Sequence, residues 1–383
     1  MKKKKILFVT TRSPFSNIFS GDRERAKLII EELSKKNKLD ILYSDNSKGL
    51  EEKSKKKIFF KRNLLEIIKR TFICLITLKP LQLGYFYSES VNNYIKKNHS
   101  KYQTIIFHLI RSAQYLPNEF RGRKILEMTD LISKNYKQII KSFSIFHPLF
   151  YIYNLEKYFV RRYENLCLNK FNKIVLASTN DLKNTKIKKT KIFFEIPNTV
   201  NINKNIYKFK KSNHKILFIG NINYLPNKEA CKNFAKIILP KINIIFSNTE
   251  FHIIGEIKTS DKIFFNSIKK TYSHGPIKNM DSMIKNSICG ICNLDIATGT
   301  QMKILTYMSY GLPCVSSDLS FKNTFFKRNK EILVYKNSDD FLKIIRKLKN
   351  NKIFSNQISR SSHRALKKKY SKNRILSSYN KII

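Results

Sequence analysis

A turn that leaves backbone N–H groups unpaired, followed at once by a helix with a lysine in its first turn, is a natural seat for a phosphate. Residues 293–315 spell out such a sequence: NLDIATGTQMKILTYMSYGLPCV. The preceding run, ICGIC at 288–292, is short, apolar and β-leaning, which suits a buried strand. The pattern breaks at Thr298-Gly299-Thr300. Met302, Leu305 and Met308 then recur at helical spacing until Gly311 and Pro313 stop the helix. Cys314-Val315 opens another apolar segment, so the whole reads as a βαβ unit. Amides at Gly299 and Thr300, at the positive end of the helix dipole, would face an anion together with Lys303.

Other chemistry-bearing residues fall at the ends of expected strands. TIIFHLI at 104–110 ends on His108 and is followed by Arg111. Open α/β sheets bind ligands at the carboxyl ends of their strands, which puts both residues where chemistry is expected; a packed core histidine is the alternative. KILEMTD at 124–130 carries Glu127 and Asp130 near its end, two carboxylates suited to acid–base work or to holding hydroxyls. Ser20-Gly21-Asp22-Arg23 precedes the helical stripe Ala26, Ile29, Ile30 and Leu33, and Asp22 either caps that helix or faces a ligand. Glu156 and Glu164, eight residues apart on one expected helix, are read as partners of Lys157, Arg161 and Arg162. Cys289-x-x-Cys292 has no second ligand pair, so the six cysteines are read as reduced core residues and no metal site is expected.

The elements that must hold these residues fill a chain of 383 residues, long enough for two domains. KILFVTT at 5–11 and residues 39–43 are strands flanking the first helix. The loop between, 12–21, has neither G-x-G-x-x-G nor a P-loop lysine, which speaks against a dinucleotide or P-loop site. Residues 48–61 are charged and read as a surface loop. Residues 64–87 interleave apolar and basic side chains, as an amphipathic helix on a membrane surface or as an ordinary core-facing helix. A lysine- and asparagine-rich stretch at 201–213 reads as a linker, after which KILFIG at 215–220 starts a second α/β half. Gly255 ends another strand and permits a close approach. No apolar run approaches the ~18 residues of a bilayer span, and the basic start lacks a cleavage site, so a cytoplasmic protein is expected. The formal net charge of +48 points to an anionic partner. It is lysine spread along the chain without an arginine-rich cluster or zinc finger, which speaks against specific nucleic-acid binding and favours an anionic membrane surface or phosphorylated substrates.

The segment 293–315 resembles the donor-binding element of GT-B glycosyltransferases of the family 4 type, in the branch of exopolysaccharide enzymes. The pattern there is P-L-R-I-A-R-G-x-Q-N-K-x-L-E-A-M-A-x-G-x-P-V-V, with Gly299, Gln301, Lys303, Leu305, Met308, Gly311 and Pro313 in register. Thr306 stands where that family has a ribose-binding glutamate, and Asp295 and Thr298 stand for its two arginines. Further matches are Pro14-Phe15 with Gly21, Asp22, Arg23 and Arg25, the element His108, Arg111, Tyr115, and the loop Gly220-Asn221 through Asn227. The resemblance implies an α/β fold of two Rossmann-like domains facing a central cleft: an acceptor-side domain at 1–205, a nucleotide-sugar domain at 206–352, and a helical tail at 353–383 that crosses back to the first domain. It further implies transfer of a sugar from a nucleotide-diphosphate donor to a hydroxyl of a glycan or lipid-linked glycan, with retention, without metal or cofactor. The donor would lie on Gly21, Gly220, Asn221, Gly275, Gly299, Thr300, Lys303 and Thr306, with Lys228 as a further grip; His108 would position the sugar and Glu127 or Asp130 would contact the acceptor. A degenerate GT-B protein that binds a glycan or a partner is the alternative, and Thr306 is its motive.

Overall fold

The computed structural model describes residues 3–16, 20–45, 57–140, 143–178, 182, 192–203, 207–277, 279–294, 301–322 and 324–383. Contacts divide the chain into two units, Met1–Pro197 with Asn373–Ile383, and Asn198–Lys372. The chain therefore leaves the first unit at Pro197 and returns to it at Asn373.

The first unit is a seven-stranded parallel sheet of β1 (Lys5–Thr10), β2 (Lys38–Asp45), β3 (Lys57–Lys61), β4 (Thr104–His108), β5 (Arg123–Thr129), β6 (Lys173–Leu176) and β7 (Phe193–Glu195). The spatial order is β3-β2-β1-β4-β5-β6-β7. This is the doubly wound arrangement, whose switch point lies between β1 and β4. Its helices are α1 (Gly21–Lys36), α2 (Leu64–Ile76), α3 (Leu81–Tyr85), α4 (Glu89–Asn98), α5 (Ile132–Ile139) and α6 (Pro148–Leu168). Strand residues such as Leu7, Ile105 and Leu126 face one helical layer, and Ile6, Ile106 and Ile125 face the other; both sets are fully buried, as parallel sheets require.

The second unit repeats the plan with β8 (Lys215–Ile219), β9 (Glu250–Ile254), β10 (Thr271–His274), β11 (Ser287–Cys292), β12 (Cys314–Ser317) and β13 (Leu333–Tyr335), in the order β10-β9-β8-β11-β12-β13. Its helices are α7 (Leu225–Asn233), α8 (Leu239–Ile245), α9 (Thr259–Asn266), α10 (Asp281–Ile284), α11 (Met302–Ser309), α12 (Asp318–Lys322), α13 (Ser338–Asn350) and α14 (Lys352–Tyr370). α15 (Lys372–Ser377) and α16 (Tyr379–Ile382) carry the chain into the first unit, where Ile375, Leu376, Tyr379 and Ile382 join the core around Ile6, Phe8 and Ile29.

Several expectations change. Of the presumed surface loop 48–61, Lys57–Lys61 is an edge strand paired in parallel with β2. Glu156 and Glu164 do not pair with the arginines of their own helix. Glu156 accepts from the N–H groups of Leu81 and Gln82, capping α3, and Glu164 accepts from the N–H and hydroxyl of Ser133. α2 is not a core-facing helix: it buries only Ile67 and Cys74, while Leu64, Leu65, Ile68, Phe72 and Ile76 are each more than half exposed. The six cysteines are free and buried, as read from the sequence.

Candidate functional site

At the switch point of the first sheet, β1 and β4 end side by side, and Thr10 Oγ1 lies 3.3 Å from His108 Nδ1. His108 is 1 % exposed. Burial pushes its pKa down to about 4 against the pull of Glu127 and Asp22, so the imidazole is neutral at pH 7. Its Nε2 is 3.3 Å from Glu127 Oε2, at an angle that makes no hydrogen bond. The backbone is strained at Leu109, just beyond β4, and at Thr129, the last residue of β5: both have φ of 66°, which for a β-branched threonine is an outlier of the kind that gathers at functional sites.

Glu127 is not the exposed acid or base that its place at a strand end suggests. It has no exposed surface, and its Oε1 accepts from Arg25 Nε and Nη2, both at 2.9 Å, while Oε2 accepts from the Thr129 hydroxyl. Arg25 completes itself on the Ile196 carbonyl and the Tyr379 hydroxyl. Asp130 sits at the same strand end and is partly exposed. Asp22 does not cap α1. Gly21 is the first helical residue, and the Asp22 carboxylate accepts from Arg12 at 3.0 Å and Arg111 at 3.2 Å. Burial opposes its ionisation, yet Arg12 and Arg111 hold it well below the usual carboxylate range. Arg23, next along, pairs with Asp45 of β2. The first turn of α1 thus distributes its charged side chains to three different strand ends.

In the second unit the switch point lies between β8 and β11. Tyr307 of α11 is fully buried there; its hydroxyl accepts from the Ile219 N–H and lies within donating distance of the Leu217 and Ile291 carbonyls. A side chain at Gly290 would meet the Tyr307 ring at 2.3 Å, so glycine is obligatory. Gly255 has φ of 138° and its absent Cβ would stand 2.0 Å from the Gly220 carbonyl, a close approach of two strand ends that only glycine permits. Gly275 by contrast faces open space, and nothing nearby demands a glycine.

Lys303 is the centre of this site. It is 6 % exposed, its Nζ donates to Asn227 Oδ1 at 2.8 Å and stands 3.8 Å from the centroid of the Phe218 ring, and no carboxylate pairs with it among the described residues. Burial lowers its pKa, which marks the charge as poorly solvated. Asn227 in turn donates to the Asn221 carbonyl and packs under Gly220, tying the loop after β8 to the start of α11. The Asn221 side chain is engaged with Glu256. Lys228, expected as a further grip, is ion-paired with Asp261. The Thr306 hydroxyl donates to the Met302 carbonyl one turn back in its own helix. Gly299 and Thr300, with Asp295 and Thr298, lie outside the described residues. Asn227 stands in the motif noted in the sequence, but Phe218 and Tyr307 carried no signal there beyond their apolar bulk.

Residues 213–351 match the family described as glycosyl transferases group 1. The matched residues fall within the second unit. Solved structures extend the likeness to the whole chain. Sucrose-phosphate synthase from Thermosynechococcus elongatus is 11 % identical with a TM-score of 0.74, covering 99 % of this chain and 98 % of that one. Anabaena HepE in complex with UDP-glucose is 12 % identical with a TM-score of 0.68, again over 99 % and 98 %. A variant of S. aureus TarM in complex with Fondaparinux, alpha-GlcNAc-glycerol and UDP is 12 % identical with a TM-score of 0.67, over 99 % of both chains. A comparison with curated protein sequences returns no match. At these identities the likeness is one of fold, and the fold is GT-B.

Proposed function

We propose that this glycosyltransferase moves a sugar from a nucleotide-diphosphate donor to a hydroxyl of a glycan or lipid-linked glycan in surface-polysaccharide synthesis, with retention at the anomeric carbon and without a metal. The observation that carries the reading is Lys303: a buried cation without a counter-ion among the described residues, held by Asn227 beside Gly220 at the switch point of a group 1 domain. As the glycosidic bond breaks, negative charge grows on the departing diphosphate. A fixed ammonium and the first amides of α11 oppose that charge without having to reorganise. The presence of UDP-glucose in HepE makes UDP-sugars the first donors to try. In the first unit, His108 positions the sugar as a neutral imidazole and Asp130 contacts the acceptor. UDP is expected to raise the melting temperature in EDTA-containing buffer, and one UDP-sugar to be hydrolysed or transferred there. Indifference to every nucleotide and nucleotide-sugar would remove the reading.

The Thr306 hydroxyl, spent on its own helix, favours a second reading: a degenerate GT-B protein that binds the donor or a glycan without turnover. Nucleotide binding with no transfer to any acceptor distinguishes it.

An anionic membrane surface also belongs to the proposal. Between residues 61 and 85 stand five basic residues and one acidic residue. On α2 the exposed Leu65, Ile68, Phe72 and Ile76 form one face, and on α6 the exposed Tyr151, Leu155 and Tyr158 form another. The protein is expected to sediment with vesicles containing phosphatidylglycerol and not with phosphatidylcholine alone, and the double substitution Phe72→Ser, Ile76→Ser is expected to abolish sedimentation with unchanged stability. Equal behaviour toward both lipids would count against it.

A further inference from the structure

Three guanidinium groups of the first unit converge on one aromatic ring. The guanidinium carbons of Arg111, Arg62 and Arg12 lie 4.0, 5.1 and 5.4 Å from the centroid of the Phe86 ring. Each comes from just beyond a different parallel strand: Arg12 follows β1, Arg62 follows β3 and Arg111 follows β4. All three therefore sit at the carboxyl edge of the sheet, where open α/β sheets receive ligands.

Their internal partners do not balance them. Asp22 serves both Arg12 and Arg111. Asp45 is occupied by Arg23 and by the Ser13 N–H. Arg62, 8 % exposed, donates from Nη1 to the Tyr85 carbonyl, and its buried Nε has no partner among the described residues. Arg111 is 8 % exposed as well, and its remaining bond runs from Nε to the Thr11 hydroxyl. Burial depresses the pKa of Arg62 against the pull of Asp45, and burial with the neighbouring Arg12 brings that of Arg111 down to about 9 against the pull of Asp22. Both remain cations at neutral pH, crowded against each other in a poorly solvated place. Folding tolerates such crowding when a function requires it, and an anion with several oxygens would relieve it by accepting the unpaired N–H groups.

We propose that Arg12, Arg62 and Arg111, arrayed around Phe86, bind an oxyanion carried by the acceptor, a phosphate or a carboxylate. This rests on the glycosyltransferase reading and narrows its acceptor to an anionic one. Guanidinium forks suit both groups in a bidentate manner, and the Phe86 face keeps the forks in place by cation–π contact. Arg12, whose side chain is 39 % exposed, is the entry to the site.

Calorimetric titration with glycerol 3-phosphate and with glucuronate, each against its neutral counterpart glycerol or glucose, tests the site in the presence of saturating UDP. Saturable binding of at least one anion and none of the neutral compounds is expected, and the comparison of the two anions tells phosphate from carboxylate. Arg62→Gln and Arg12→Gln are each expected to weaken the anion at least tenfold, Arg62→Lys to recover part of the loss, and the anion is expected to leave UDP binding undiminished. Because the Arg12 side chain is 39 % exposed, against 8 % for Arg62 as a residue, Arg12→Gln keeps the test valid if the Arg62 variants fail to fold. Absence of anion binding, equal binding by Arg12→Gln, or equal binding of the neutral compounds overturns the proposal. Displacement of bound UDP by the anion also overturns it, by assigning the anion to the donor site. Failure of UDP itself to bind is read in the same titrations and strikes the donor reading instead.

Discussion

Lys303→Met is expected to eliminate stabilisation by UDP and to lower kcat/KM for transfer by roughly 10²–10³-fold, while the protein itself becomes no less stable. The two halves of that result have one cause. A lysine 6 % exposed, whose charge meets Asn227, the Phe218 ring and no carboxylate among the described residues, is held against its own hydration. Methionine fills a similar volume and removes the desolvation cost, although Asn227 loses an acceptor role worth about 1 kcal/mol. The net change in unfolding free energy is expected to lie between zero and a gain of about 1 kcal/mol, as at other sites where function is bought with stability. Urea denaturation gives one half of the answer and thermal shift with UDP the other. A loss beyond about 2 kcal/mol with UDP binding retained would make Lys303 a structural residue.

The opposite signature is expected for Arg25→Met. Arg25 and Glu127 form a pair with 6 % and 0 % of their side chains exposed, and removing the cation strands a carboxylate with no access to water. Breaking a buried pair from one side costs about 3–5 kcal/mol, so the variant should be severely destabilised or insoluble. The double variant Arg25→Met, Glu127→Leu removes both charges and should recover much of the loss, because the surroundings then ask for apolar filling. Denaturant midpoints of the two variants decide the matter. Equal instability of single and double variants would mean that the Tyr379 and Ile196 contacts, not the charge pair, do the holding.

What the sequence made legible follows the range over which each signal acts. The strand expected at 288–292 is β11, Ser287–Cys292, and the helix marked by Met302, Leu305 and Met308 is α11, Met302–Ser309, because apolar run length and helical spacing are local properties. The alternation of such units was enough to place two parallel sheets. The partners of charged side chains were not legible in the same way. Glu127 looks like any carboxylate at a strand end until the sheet order brings α1 across it with Arg25, and Asp22 looks like a helix cap until Arg12 and Arg111 arrive from the ends of β1 and β4. Arg62 and Phe86 gave no warning, since neither stands in a motif and only the fold assembles them with Arg12. Exposure of α2 was equally hidden: a stripe of apolar side chains reads alike whether a core or a membrane covers it.

The excursion of the chain out of the first unit and back has a consequence for the order of events on the ribosome. Tyr379, Ile382 and Ile383 pack against Ile6, Phe8 and Leu33, and Lys4 donates to the Ile383 carbonyl. A nascent chain that has emerged as far as Pro197 holds every strand of the first sheet, yet on the flank that α1 covers, the part taken by Ile375, Leu376, Tyr379 and Ile382 stays open until the whole of Asn198–Lys372 has been made. The second unit, contiguous in sequence, has no such wait. The half synthesised first is therefore the half completed last, and its apolar flank is the surface a chaperone meets in the interval.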